Sequence, residues 1–268
     1  MTELRQAARI ARTSALYEVL QPGRLAGAGA QLALQIFLTW CLWRALYDAV
    51  AGSSGLNQGQ AVTYAVLATL YSRLRGPDRD VAQDTVRQHM WSGSIVYWYL
   101  RPITPRRYHR LRAAGDQAYG LAWAAVTYAV CRALGLIGPP ASAEAAALFG
   151  LTLLLGQLVL YYLLALVDVA CFWTLRNFGV LAIIRLASSL FAGAIVPLWF
   201  FPGWFQTISS WLPFESSLHV PLSLYIGRIE PAGAGRYVLV QVVWIVVLAV
   251  ALRLAWRRAD QQIVVQGG

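Results

Sequence analysis

Lysine is absent: all 22 positions counted as Lys or Arg are arginine. That absence excludes a phosphate-binding loop of the GxxxxGK[ST] type, whose lysine must reach the β- and γ-phosphates. It excludes Schiff-base and lysine general-base chemistry as well. Charge of either sign is scarce, at 13% of residues against about 25% in soluble globular domains. Cys41, Cys131 and Cys171 form no CxxC and no paired spacing, and read as small buried hydrophobes. His89, His109 and His219 are too scattered to suggest a metal site. Residues 1–21 carry Glu3, Arg5, Arg9, Arg12 and Glu18 and lack the short apolar core of a signal peptide. No repeat of 20 to 50 residues is visible. The longest piece outside apolar segments is about 40 residues, too short for an independent enzymatic unit.

What is present is apolar and aromatic: 58% hydrophobic residues, with 11 Trp and 13 Tyr, which places the chain among polytopic membrane proteins. A net charge of +10 could point to nucleic acid, but the arginines flank apolar runs, the pattern left by membrane topology. A spanning helix needs about 20 mostly apolar residues. Six such segments are expected, at 25–50, 57–74, 115–137, 144–174, 178–200 and 236–256. The second is the weakest, being short and holding Gln60, Thr63, Thr69 and Ser72. Four arginines precede the first segment, nine lie from Arg73 to Arg112, and Arg257 and Arg258 follow the sixth. None lies between the first and second segments or between the third and fourth. Positive charge marks the cytoplasmic side, so six crossings with both termini cytoplasmic are expected. The fold class is therefore all-α integral membrane, a single domain over 1–268. Residues 1–24 should form an interfacial helix: Leu4, Ala8, Ala11, Ala15 and Val19 recur at helical spacing opposite Arg5, Arg9 and Arg12.

Two connections stand out. Residues 76–112 open with Gly76-Pro77-Asp78, a helix break with Asp78 as a plausible N-cap. A charge-rich stretch with Asp80, Asp84, Arg87, Gln88 and Trp91 follows, interrupted at Gly93. By spacing alone a partner-docking helix and an ordinary solvated helix are equally open. Residues 201–227 stay apolar yet are cut by Pro202, Pro213 and Pro221, with no charge from Pro197 to Phe214. One helix cannot cross there. Two short re-entrant helices are expected, shielded by protein, with Trp204, Trp211 and Phe214 suited to the headgroup boundary. An ordinary aromatic loop is the competing reading. Intramembrane charges are costly and usually functional, and the candidates are Asp168, Arg176 and Arg185, with Asp168 expected to pair with an arginine. Arg44 and Asp48, four apart, suggest a helical salt pair, and Arg132 can snorkel.

The run Gly93-Ser94-Ile95-Val96-Tyr97-Trp98-Tyr99-Leu100-Arg101-Pro102 resembles a signature of ABC type-2 permeases. Pro197-Leu198-Trp199-Phe200-Phe201-Pro202-Gly203-Trp204, then Trp211-Leu212-Pro213-Phe214 and Pro221 with Tyr225-Ile226-Gly227, resemble that family's second region. The tail Gln266-Gly267-Gly268 is similar to its usual ending. The resemblance implies a bacterial cytoplasmic-membrane exporter half with a coupling helix at 78–91 and re-entrant helices at 201–227. It also implies two separate ATPase subunits carrying ATP and Mg, and a second permease, homologous or identical. No cofactor is expected on this chain. Two other functions compete. A secondary transporter would carry interrupted spans in corresponding halves with buried carboxylates. A membrane lipid enzyme would need an acid, base and nucleophile cluster that the spacing does not offer.

Overall fold

A helix wrapped by lipid must be apolar on every face, whereas one wrapped by other helices can carry polar groups that find partners. Both kinds occur here. The computed structural model describes residues 22–49, 57–74, 86–174 and 178–266, and among these every regular element is helical. In chain order they are α1 (Pro22–Ala49), α2 (Gln58–Leu74), α3 (Val86–Trp91), α4 (Val96–Tyr99) and α5 (Pro105–Ala133). Then come α6 (Ala143–Val169), α7 (Phe178–Phe191), α8 (Gly203–Trp211), α9 (Glu215–Tyr225) and α10 (Ala234–Gln266), with short 3-10 turns between some of them.

Three stretches are long and apolar enough to cross a membrane: Leu25–Leu46 in α1, Ala143–Phe172 running from α6 into the following turn, and Pro231–Gln261 running from the preceding turn into α10. Gly179–Phe191 is a shorter apolar helix. The outer faces of the long helices are hydrocarbon, with Phe37 and Leu38 on α1 and Val243 and Val246 on α10 exposed.

The polar α2 is the central post. Every residue from Ala61 to Ala68 is buried, and Ala61, Tyr64 and Val66 have no exposed surface. It packs on α1, α5 and α9. Its polar side chains meet protein rather than lipid. Gln60 Nε2 donates to the Ile226 carbonyl at 2.9 Å, and Thr63 Oγ1 accepts from the Gly138 amide at 2.9 Å. Thr39 and Thr69 hydroxyls meet at 3.3 Å between α1 and α2. Weak hydropathy in this segment reflects burial by neighbours.

Three element limits differ most from the sequence expectation, and one of them is the end of α10, at Gln266 and not at 256. Helix α5 begins at Pro105, well before 115, as one rod whose first turns hold Arg106, Arg107, Arg110 and Arg112. Proline suits the first helical position, and the preceding Thr104 is extended, as a residue before proline prefers. Helix α7 stops at Phe191 and does not run to 200. Gly193 at φ +70° ends it, with the Ala194 amide on the Ser189 carbonyl and the Gly193 amide on the Leu190 carbonyl. This left-handed cap is one that glycine adopts without strain. The expected interfacial helix at 1–24 falls almost wholly outside the described residues, as does the Gly267-Gly268 ending.

Candidate functional site

The bundle has a basic end and an aromatic end, and each carries one of the irregular connections. At the basic end, α3 and α4 form a helical hairpin. Gly93, at φ +68°, turns the chain between them. Ser94 Oγ lies 2.6 Å from His89 Nδ1 and 2.6 Å from Ser92 Oγ, while Ser92 Oγ donates to the Gln88 carbonyl at 3.0 Å. The inner face of the hairpin is apolar. Val86, Ile95 and Trp98 are buried with Val169, Phe172 and Trp256 from the ends of α6 and α10. Trp98 meets His89 at 5.2 Å and Tyr108 at 5.0 Å between ring centroids.

Polar contacts ring that cluster. Tyr99 donates its hydroxyl to Asp260 Oδ1 at 3.1 Å, and Arg106 reaches Asp260 Oδ2 at 3.3 Å. The Arg101 guanidinium lies over the Tyr108 ring, 4.3 Å from its centroid. Burial, aided by the nearby Arg101 charge, holds the His89 imidazole below its usual pKa. Burial and then Asp260 push the Tyr99 phenol up. The other side of the hairpin is open: Gln88, Val96, Tyr97 and Leu100 are exposed.

Of the residues expected to couple to a partner, Asp80 and Asp84 lie outside the described residues, with Asp78. Arg87 and Trp91 belong to α3, and their side chains are also outside them. Gln88 and Gly93 occupy the exposed side and the turn of the hairpin. Of the charges expected within the membrane, Asp168 has His109 as a neighbour among the described residues, with Oδ2 and Nε2 at 3.5 Å. Arg176 is outside the described residues, and Arg185 is exposed on α7. Arg44 stacks over Trp40 at 5.0 Å, while the side chain of Asp48 is not described. Arg132 donates to the Ile137 carbonyl at 2.6 Å, closing the end of α5.

At the aromatic end, residues 201–227 form two short helices, α8 and α9, with a break at Leu212-Pro213-Phe214. Both breaks obey the proline rule: Phe201 and Leu212, each just before a proline, are extended. Pro202 caps α8. Pro221, in contrast, is accommodated inside α9. Phe205 stacks on Phe191 at 5.0 Å and on Phe201 at 4.5 Å, and Phe214 lies 6.3 Å from Phe191. Trp204 and Trp211 are exposed, at 66% and 77%.

Helix α9 is sunk in the bundle. Its first turn touches α6 at Gly156, where a Cβ would lie 2.8 Å from the Ser216 carbonyl and 2.8 Å from Ser217 Cα. Gly156 is about 20 Å along α6 from Ala143 at 1.5 Å per residue. The last turn of α9 returns to the start of α6, where the Ala141 amide donates to the Tyr225 carbonyl at 3.0 Å. Hydroxyls on α9 bond back to the chain: Ser216 Oγ to the Pro213 carbonyl and Ser217 Oγ to the Phe214 carbonyl, each at 2.7 Å. From α10, Gln241 Nε2 donates to the carbonyls of Thr152 and Ser216 at 2.8 and 2.7 Å. Tyr64 on α2 donates to the Gly193 carbonyl at 3.2 Å and meets His219 Nδ1 at 3.1 Å. Trp199 completes this group, 4.7 Å from Tyr64 and 5.4 Å from His219, with Arg228 over its ring.

Sequence reasoning did not single out Gly156, Gln241, Tyr64 or Asp260, and named Trp98 only within the run 93–102. Polar residues inside otherwise apolar helices, as Gln241 is, were the available signal. At the same end a cleft of about 600 Å³ opens between Trp40, Arg44, Asn57, Gln60 and the 135–141 connection.

Apolar helices long enough to cross a bilayer, packed around a buried polar post, define an all-helical integral membrane protein. Residues 33–267 match the model of a family described as ABC-2 family transporter protein, and the chain belongs to that family. Its members are the membrane-embedded transport subunits of ABC transporters, which associate with an ABC ATPase. No curated protein and no solved structure matches the chain.

Proposed function

We propose that this chain is the permease subunit of an ATP-driven ABC exporter in the bacterial cytoplasmic membrane. It spans six times with both termini in the cytoplasm, and α8 and α9 re-enter from outside. A separate pair of ATPase subunits binds ATP and Mg, and a second permease, homologous or identical, completes the pathway. The substrate is hydrophobic or amphipathic.

The observation that carries this reading is the α3–α4 hairpin. It is anchored from within by Trp98 and Trp256 and offers Val96, Tyr97 and Leu100 outward. A docking element needs this combination: a free face for a partner and a stiff connection to the spans. Contact of α9 with Gly156 at one end and Ala141 at the other supports a helix that rises from membrane depth to the surface. The polar cleft of about 600 Å³ falls in the range of small-molecule sites, about 300–1,000 Å³. It suits the outer mouth.

The test is reconstitution with the ATPase. Arg87→Glu combined with Tyr97→Ala and Leu100→Ala should lower ATP-dependent export and co-purification of the ATPase together, with expression unchanged. Normal complex formation and export would place the docking surface elsewhere. Topology is tested on a Cys-free background. Single cysteines at positions 110 and 262 should label from the cytoplasm, and those at 54 and 232 from outside. Labelling of 54 and 262 from one side would overturn the six-span arrangement.

A further inference from the structure

Sequential helices α5 and α6 both line one cavity, yet α5 packs chiefly on α2 while α6 packs on α9 and α10. A cavity of about 230 Å³ lies in the gap. Its back wall is fully enclosed: Leu67, Leu70 and Leu74 of α2 and Leu222 of α9 are each less than 5% exposed. Its rim is open: Leu121 and Leu153 are half-buried, and Ala125 is exposed. The mouth therefore faces sideways, between α5 and α6.

The depth of the cavity decides what stands at that mouth. Phe149 and Leu153 line it and sit about 9–15 Å along α6 from Ala143 at 1.5 Å per residue. The hydrocarbon layer is about 30 Å thick, so the mouth opens on acyl chains and not on headgroups or water. Chemistry gives the same answer. The walls are leucine, alanine and aromatic ring, and the Tyr128 hydroxyl is engaged with the Tyr225 hydroxyl at 2.8 Å. Water needs two to four polar partners, and an engineered apolar cavity of about 150 Å³ stays dry and takes up benzene. Left empty, the walls would lose dispersion contacts on one side. At about 230 Å³ the cavity is smaller than most sites for drug-like molecules, about 300–1,000 Å³, and takes a segment of an acyl chain.

We infer that the α5–α6 cleft is a binding site for a segment of one acyl chain of a bilayer phospholipid, which enters laterally and packs against α2. The occupant is structural lipid, not cargo. The inference rests on the membrane placement of the chain and not on the direction of transport, so it survives failure of the exporter reading.

The test uses the full chain in nanodiscs containing a phosphatidylcholine with a diazirine in mid-chain. After illumination, peptides from the cavity walls (residues 121–128 and 149–153) are compared with peptides from the lipid-facing stripe of α10 (242–250). Wall labelling should exceed stripe labelling several-fold. Ala125→Phe, at the exposed rim, should reduce wall labelling to the stripe level and leave the stripe unchanged. Adding phospholipid back to delipidated protein should raise the Tm of the wild type more than that of Ala125→Phe, because a ligand that binds only the folded state stabilises it. Wall labelling no greater than the stripe, or unaffected by Ala125→Phe, overturns the proposal. Equal Tm gains in both proteins overturn it too. Labelling that falls when a hydrophobic export substrate is added marks the site as cargo-binding, which also overturns it.

Discussion

The two ends of this molecule solve one problem, fixing a non-spanning segment to a helical bundle, with different chemistry. At the basic end the α3–α4 hairpin is held through side chains: Trp98 in one buried cluster with Trp256, Tyr99 and Arg106 on Asp260, Arg101 over Tyr108. At the aromatic end α9 is held largely through backbone: Gly156 against the Ser216 carbonyl, Gln241 on two carbonyls, Ala141 on the Tyr225 carbonyl. The difference follows from solvent. Near water, side chains keep charged tips wet while their stems pack, and such contacts remain adjustable. At membrane depth an unsatisfied backbone group is expensive, so every carbonyl near a break must be met by a neighbour.

The comparison can be broken in several ways. Trp256→Ala should have the largest effect, opening a hole under the hairpin and costing about 3–5 kcal/mol, read as a fall in Tm of the detergent-solubilised protein. Gly156→Ala comes next, at about 1–3 kcal/mol, because the added methyl meets backbone that cannot step aside. A Gly156→Ala protein as stable as wild type would show that the α6–α9 contact is slack. Asp260→Asn should change stability by less than about 1 kcal/mol, since Asp260 and Arg106 side chains are 45% and 34% exposed. A loss as large as that of Trp256→Ala would mean the polar ring, not the aromatic cluster, fixes the hairpin.

Acid gives the smallest and most selective probe. His89 has its pKa lowered in the folded protein, mainly by burial, so the unfolded chain takes up its proton first. Stability contributed at this site is complete above about pH 6.5, the unfolded value. It declines as pH falls below that toward the folded pKa. Hydrogen exchange of the hairpin amides should therefore quicken between pH 7.5 and 5.5, and His89→Gln should flatten the change. A hairpin whose exchange, corrected for intrinsic rate, ignores pH in the wild type would remove His89 from the account.

How much of this was readable in advance depended on whether the signal was local. Runs of apolar residues predicted α1, α6 and α10, and Pro202 and Pro213 marked the limits of α8 because proline acts on its immediate neighbour. The early stop of α7 was also local, at Gly193 and Pro197, but the apolar run continuing past it outweighed them. Gln241 and Thr152, or Asp168 and His109, are joined only by tertiary packing across 89 and 59 positions. Hydropathy of α2, expected at 57–74, was weak for the same reason, since it measures affinity for lipid and this helix touches protein.

One dimension ties the ends together. Helix α10 has 33 residues, about 50 Å at 1.5 Å per residue, well over the hydrocarbon thickness of about 30 Å. It carries Gln241, on the α9 carbonyl, and Asp260, on Tyr99 and Arg106, along one unbroken rod. Those two positions are about 28 Å apart on its axis, so a tilt of about 10° gives a stroke of about 5 Å at the far position. Geometrically, α10 is a single rod that joins the contacts of the hairpin to those of α9.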